Sequence, residues 1–265
     1  MNITEIQRRI QNAKDLDFGN IFNESIELFK KTWVNGLVTI LLNMVLAIPI
    51  VMIVYIPLLV LGLADTYTSS YDYYGSYNSY SQPDLSPIAA ISMFVLYIFL
   101  MAAMSALGMG LKAGFYRICK LKDLEQMGKE DYFYFFKKHY LGKTIKLGLA
   151  YVGITLIAAL LCFLPLIYAF VPLTYMFVVY AFNPDKSVSE IIKLSFDLGN
   201  RKWLLTFGLM IVSGFLAGIV GMLMCFVGIY VTMSFTFLPP YLIYRDVVGF
   251  DDETDTLQIE ENSTF

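Results

Sequence analysis

Four stretches of this chain contain no Asp, Glu, Lys, Arg or His: 34–63, 87–111, 147–184 and 204–244. A helix of about 20 apolar residues crosses the hydrocarbon core of a bilayer. No water-soluble core requires charge-free runs of this length, so the chain is expected to fold as an all-α polytopic membrane protein. Composition agrees: 57% of the residues are hydrophobic and 15% are charged, against roughly 25% charged in a soluble domain.

The first two runs are each long enough for one helix, with Pro49 and Pro57 suggesting kinks in the first. The third is too long for one span, and Phe163-Leu164-Pro165 offers a turn within it. The fourth divides between Gly221 and Gly228. Six transmembrane helices follow, at about 35–62, 88–112, 146–163, 166–183, 203–222 and 226–245. They pair as three hairpins within a single membrane domain over 1–250. Residues 251–265 form an acidic tail poor in apolar residues, with the composition of a disordered segment.

Orientation follows from the basic residues, which concentrate in cytoplasmic loops. The segment 64–86 and the turns near 164 and 225 hold no Lys or Arg, so all 19 fall on the opposite side. Both termini are therefore expected in the cytoplasm. The amino-terminal region lacks an early apolar core, so no cleaved signal is expected. Low cysteine usage fits a bacterial inner membrane. Cys119, Cys162 and Cys225 lack a metal-ligand spacing and read as packing residues.

A threefold pattern runs along the cytoplasmic segments. Leu28-Phe29-Lys30-Lys31-Thr32-Trp33 leads into the first span, Phe135-Phe136-Lys137-Lys138-His139-Tyr140 into the third, and Arg201-Lys202-Trp203 into the fifth. Each unit reads as an amphipathic helix, a basic-aromatic junction and a hairpin. In the first helix Phe18, Ile21, Phe22, Ile26, Phe29 and Trp33 recur at helical spacing, while Asn20, Asn23, Glu24, Glu27 and Lys31 take other faces. Ser187 or Ser189 is placed to cap the third, with Glu190 in its first turn. Such helices lie in the interface, aromatic side toward the acyl chains and lysines near phosphates. Phe22, Phe29, Lys30, Lys31, Trp33, Phe136, Lys137, Lys138, Lys202 and Trp203 are accordingly candidate contacts for membrane lipids or a protein partner. Gly110-x-x-x-Gly114 and Gly214-x-x-x-Gly218 are candidate helix-packing motifs.

Catalytic patterns are missing. The single histidine, His139, cannot supply a metal site, and no phosphate loop, nucleophile elbow or carboxylate pair is present. No cofactor, metal or nucleic-acid partner is expected. The six-span reading puts no ionisable residue in the membrane core, which argues against a proton-coupled pump. The loop 65–86 is rich in Tyr and polar residues and is a candidate contact surface, as is the acidic tail.

Phe163-Leu164-Pro165, then Ser187-x-x-Glu190-Ile191-Ile192-x-x-Ser195, then Lys202-Trp203, resemble a bacterial family of six-span proteins. That family includes the YciC-like membrane proteins and the membrane domain attached to some glycerophosphodiester phosphodiesterases. Phe18-Gly19-x-Ile21-Phe22 fits its opening helix. Leu166 departs from the glycine common there, and the soluble phosphodiesterase domain is absent. The resemblance implies a fold and a membrane location, and no reaction. The expected function is a non-enzymatic accessory or scaffold subunit of an inner-membrane assembly. The alternatives are a binding protein or carrier for a lipid or apolar solute, and a lipid-acting enzyme using Tyr244 with Asp246.

Overall fold

The structure is a computed structural model that describes residues 1–71, 87–161, 164–224 and 227–250. The described residues form α1 (Ile3–Gln11), α2 (Phe18–Tyr71), α3 (Pro87–Asp123), α4 (Lys138–Leu160), α5 (Leu164–Phe182), α6 (Val188–Arg201), α7 (Trp203–Leu223), α8 (Val227–Thr232) and α9 (Leu238–Val247), with no strand among them. Short 3-10 turns occupy Tyr134–Phe136 and Met233–Phe237. Cys162, Phe163, Cys225, most of the Tyr-rich loop and the acidic tail lie outside the described residues.

Among the described residues, five helices are long and apolar enough to cross a membrane: Phe18–Pro57, Ile91–Asp123, Lys138–Leu160, Leu164–Phe182 and Trp203–Leu223. The run read as a sixth span is instead divided among α8, a 3-10 turn and α9. The prolines explain the division. Pro239 has no N–H to return to the carbonyl of Phe235. The Leu238 N–H takes that carbonyl instead, one residue closer, and closes a 3-10 turn.

The amphipathic units differ from one another. Between Phe18 and Trp33 no residue breaks the helix, so the first amphipathic stretch and the first span are one helix of 54 residues. It is about 80 Å long at 1.5 Å per residue. It cannot both lie in the interface and stand across the bilayer without a bend. The second unit is led by the 3-10 turn Tyr134–Phe136. Only the third keeps a separate helix, α6. There Ser187 accepts from the Glu190 N–H at 3.3 Å, and Glu190 accepts from the Ser187 N–H at 2.7 Å. This reciprocal box satisfies two donors at the helix start.

A helix absent from the sequence reading, α1, packs on α6 through the buried Ile6 and Ile10. Gln7 Nε2 donates to Asp197 Oδ2 at 2.8 Å across that contact. Ile3, Ile6 and Ile10 at helical spacing carried the signal, in a stretch too short to stand out.

Burial is uneven along the bundle. Fully buried side chains gather at the end that carries the charges, where Ile21, Leu28, Phe115, Tyr116, Phe135, Tyr180, Leu194, Tyr241 and Tyr244 meet. Toward the other end apolar side chains are uncovered, and Leu59, Phe94, Leu160 and Leu223 are 63%, 66%, 84% and 79% exposed. Water drives apolar burial at the charged end. Lipid tails give no such drive, so helices meet there by shape and by hydrogen bonds. The central exception is α5, whose second half is buried almost continuously from Val171 to Ala181.

Where backbones approach closely, glycine is required. A Cβ on Gly148 of α4 would sit 2.7 Å from the Ala106 amide nitrogen of α3. A Cβ on Gly218 would meet nothing within 4 Å. Gly148→Ala is expected to force α3 and α4 apart and cost about 1–3 kcal/mol, while Gly218→Ala is expected to be close to neutral. Unfolding midpoints of the two variants in one mild detergent check this.

Candidate interaction site at the charged end

Arg245, on the last turns of α9, holds carboxylates from two other helices. Its Nη1 donates to Asp123 of α3 at 3.1 and 3.3 Å, and its Nη2 to Glu24 of α2. Its Nε donates to Asp246 at 2.8 Å, and the Tyr241 hydroxyl donates to Asp123 at 3.0 Å. The guanidinium fork presents several donors in fixed directions, so one side chain can tie three helices together. Tyr241 stacks on Tyr116 with ring centroids 6.5 Å apart.

A second polar cluster joins α2 to the loop after α3. Asn35 Nδ2 lies 2.6 Å from Glu130 Oε2 and 2.8 Å from the Tyr132 hydroxyl, and Lys122 Nζ lies 2.5 Å from Glu130 Oε1. The Lys122 hydrogen bond holds the Glu130 carboxyl below the usual carboxylate range. Partial burial opposes that shift, and the Asn35 amide reinforces it.

A third arrangement repairs α5. Pro172 cannot donate to the carbonyl of Tyr168, one turn earlier. The Trp203 indole N–H donates to that oxygen instead, at 3.0 Å. One turn before Trp203, Gly199 admits the proline itself: a Cβ there would lie 2.7 Å from Pro172 Cα. Between them, Asn200 accepts from the Tyr168 hydroxyl at 2.5 Å.

The sequence-derived contact residues separate into distinct environments. Phe22 and Phe29 are half-buried and set edge-on to Phe235, at 5.9 and 5.5 Å. Lys30 pairs with Glu27 at 2.6 Å and Lys31 with Glu125 at 2.8 Å, both exposed. Trp33 is exposed beside them. Phe136 fills the hollow over Gly110, where a Cβ would meet its ring at 2.5 Å. Lys137 pairs with Asp131 at 2.9 Å, and Lys138 is exposed. Lys202 is turned inward and donates to the Lys14 carbonyl at 2.5 Å, at the break between α6 and α7. Trp203 stacks on Phe207 at 4.6 Å.

The glycine motifs divide too. Gly110 and Gly114 receive the loop segment Tyr132 and Phe136, not a neighbouring helix. Gly214 has only Thr236 nearby at 3.9 Å, and Gly218 is open. The close helix contacts use Gly148, Gly199 and Gly221, which stand outside any G-x-x-x-G pattern. No spacing rule could have found them, because their partners lie on other elements.

Among the described residues, no group of three or more His, Cys, Asp or Glu is placed to hold a metal ion. Tyr244 and Asp246 are engaged separately: Asn183 donates to the Tyr244 hydroxyl at 2.7 Å, and Arg245 donates to Asp246. Among the described residues, the fold is all-helical with five candidate membrane-spanning helices, two of which, α2 and α3, are tied to α9 by Arg245. No family model, curated protein or solved structure matches the chain.

Trp203→Phe keeps an aromatic ring against Phe207 and removes the indole N–H together with part of the bicycle. It is expected to cost about 1–2 kcal/mol, because the Tyr168 carbonyl loses its donor. Denaturant unfolding in detergent measures this. Glu130 has a folded pKa below its unfolded value, so its stabilising contribution is present above the unfolded pKa and lost as pH falls through the folded one. Glu130→Gln is expected to flatten the loss of stability as pH falls through and below the ordinary glutamate range, read from unfolding midpoints across an acid titration.

Proposed function

We propose that this chain is a non-enzymatic accessory or scaffold subunit of a bacterial inner-membrane assembly. In this reading it crosses six times as three hairpins, with both termini in the cytoplasm. The likeness to the YciC-like six-span proteins supports that topology. So does the continuous helical path from Val227 through Val247, an α-helix, a 3-10 turn and an α-helix in succession. At α and 3-10 rises it is about 34 Å long, enough for the hydrocarbon core.

The observation that carries the scaffold reading is the contrast between the two ends. The most apolar windows of α2 and α3 are only 6% and 11% buried within the protein. They leave long helix sides free for lipid or for the helices of a neighbour. The charged end is a close-packed platform tied by Arg245 and Glu130, and its groups serve structure. A packed platform with uncovered spans suits a subunit that positions other chains. The platform, the acidic tail and the Tyr-rich loop are the surfaces offered to such a partner.

A second reading, a lipid-binding protein, is favoured by Lys112. It ends the charge-free run on α3, and its ammonium lies between two aromatic rings inside the bundle.

Native mass spectrometry of the protein released gently from its own membranes tests the first reading. A protein partner at fixed stoichiometry is the expected result. Recovery of the chain alone, from membranes where it is at natural abundance, would overturn it.

A further inference from the structure

Lys112 is the residue of α3 that the charge pattern places at the edge of the membrane and that the fold draws inside. Its Nζ lies 4.7 Å from the centre of the Phe177 ring on α5 and 4.5 Å from that of Phe237 on the 3-10 turn. Gly36 of α2 lies against Phe115 of α3, where a Cβ would meet the ring at 3.6 Å. These two positions fix the relative height of the helices. Lys112 is one turn from Phe115 toward the apolar end, and Trp33 is one turn from Gly36 toward the charged end. At 1.5 Å per residue, Lys112 sits about 9 Å deeper than Trp33.

Two aromatic faces attract an ammonium by about 0.5–2 kcal/mol each, but they accept none of its hydrogen bonds well. Among the described residues, no carboxylate, carbonyl or hydroxyl pairs with Lys112. An ionisable side chain at such depth ordinarily has a partner or a task. Lys112 and Phe237 are half-buried while Phe177 is buried, so the lysine lies at the border between the packed interior and the uncovered surface. The turn bearing Phe237 also runs along α7, where Thr236 lies 3.9 Å from the Cβ position of Gly214. The adjacent Ser213 hydroxyl is, among the described residues, the buried side-chain polar atom without a hydrogen-bond partner.

We propose that Lys112, clamped between Phe177 and Phe237, is the binding site for the phosphate of one anionic phospholipid. The phosphate oxygen completes the ammonium's hydrogen bonds in a charge-assisted contact. The acyl chains lie along the uncovered apolar sides of the bundle. An anion reaching this depth must bring its own apolar anchor, which selects a lipid over free phosphate. The ring centres lie 4.7 and 4.5 Å from the ammonium, and this one ammonium takes one phosphate, so one lipid is expected per chain.

The test uses the full chain in a neutral detergent, exchanged until endogenous lipid is gone and then titrated with phosphatidylglycerol, phosphatidylcholine, oleate or inorganic phosphate. Native mass spectrometry reads bound lipid, and acylation followed by peptide mapping reads the accessibility of Lys112. Wild type is expected to retain one phosphatidylglycerol and to show Lys112 protected by it. Lys112→Met is expected to retain it at least tenfold more weakly, with an unfolding midpoint near that of wild type, while Lys112→Arg retains it. Equal retention by wild type and Lys112→Met would overturn the proposal. So would equal protection by phosphatidylcholine, oleate or inorganic phosphate, or no protection by phosphatidylglycerol. Because protection is read on wild type, the result stands even if Lys112→Met fails to fold. It is also independent of whether a protein partner is found.

Discussion

The contact of Arg245 with Glu24 and Asp123 gathers three helices at one point. The other packing at that end is arranged around it. On α2, Glu24 reaches Arg245 while Phe22 and Phe29 pack on Phe235. Asp123 sets the end of α3, which places Tyr116 under Tyr241 and Phe115 beside Phe237. Pro239 and Pro240 begin α9 just before Arg245, so the 3-10 turn and the ion pairs form one continuous feature. A guanidinium at the water boundary keeps its solvation on one side and its partners on the other, which avoids the full desolvation cost of a buried pair.

Two solvents act on this molecule. At the charged end, burial of Ile6, Ile10, Leu194 and Leu198 between α1 and α6 follows ordinary hydrophobic association. Along the spans, the contacts that hold are those lipid cannot replace: backbone against backbone at Gly148, and a donated hydrogen bond where a proline has removed one. The Tyr168 carbonyl shows the second case clearly. In water its orphaned oxygen would be solvated at little cost, whereas in hydrocarbon it needs a protein donor, and Trp203 supplies one. A residue read from sequence as an interfacial anchor is thus committed to a bond with the backbone of another helix.

Lys112 illustrates how position in sequence differs from depth. The charge-free run stops at Leu111, so the rule that basic residues lie on the cytoplasmic side places Lys112 at the cytoplasmic edge of the second span. The helix in fact continues to Asp123, and the lysine is carried between the rings of α5 and the 3-10 turn. Similarly, the first amphipathic stretch has the composition of an interfacial helix, yet nothing between it and the span interrupts the hydrogen-bond ladder.

The sequence by itself determined the class. Long charge-free runs require helices that satisfy their own backbone in lipid, and five such helices are present in the structure. It also narrowed the start of α6 to Ser187 or Ser189, and the structure selects Ser187 through its capping box with Glu190. Only the tertiary structure decided which glycines touch backbone, that Gly110 and Gly114 receive a loop, and that the last apolar run breaks into a 3-10 turn. It alone brought Arg245 to Glu24 and Lys112 between Phe177 and Phe237. The physical reason is one of range. Hydropathy, charge balance and capping are summed over neighbours along the chain. Close approach, aromatic clamping and the repair of a lost hydrogen bond depend on elements that meet only after the helices have packed.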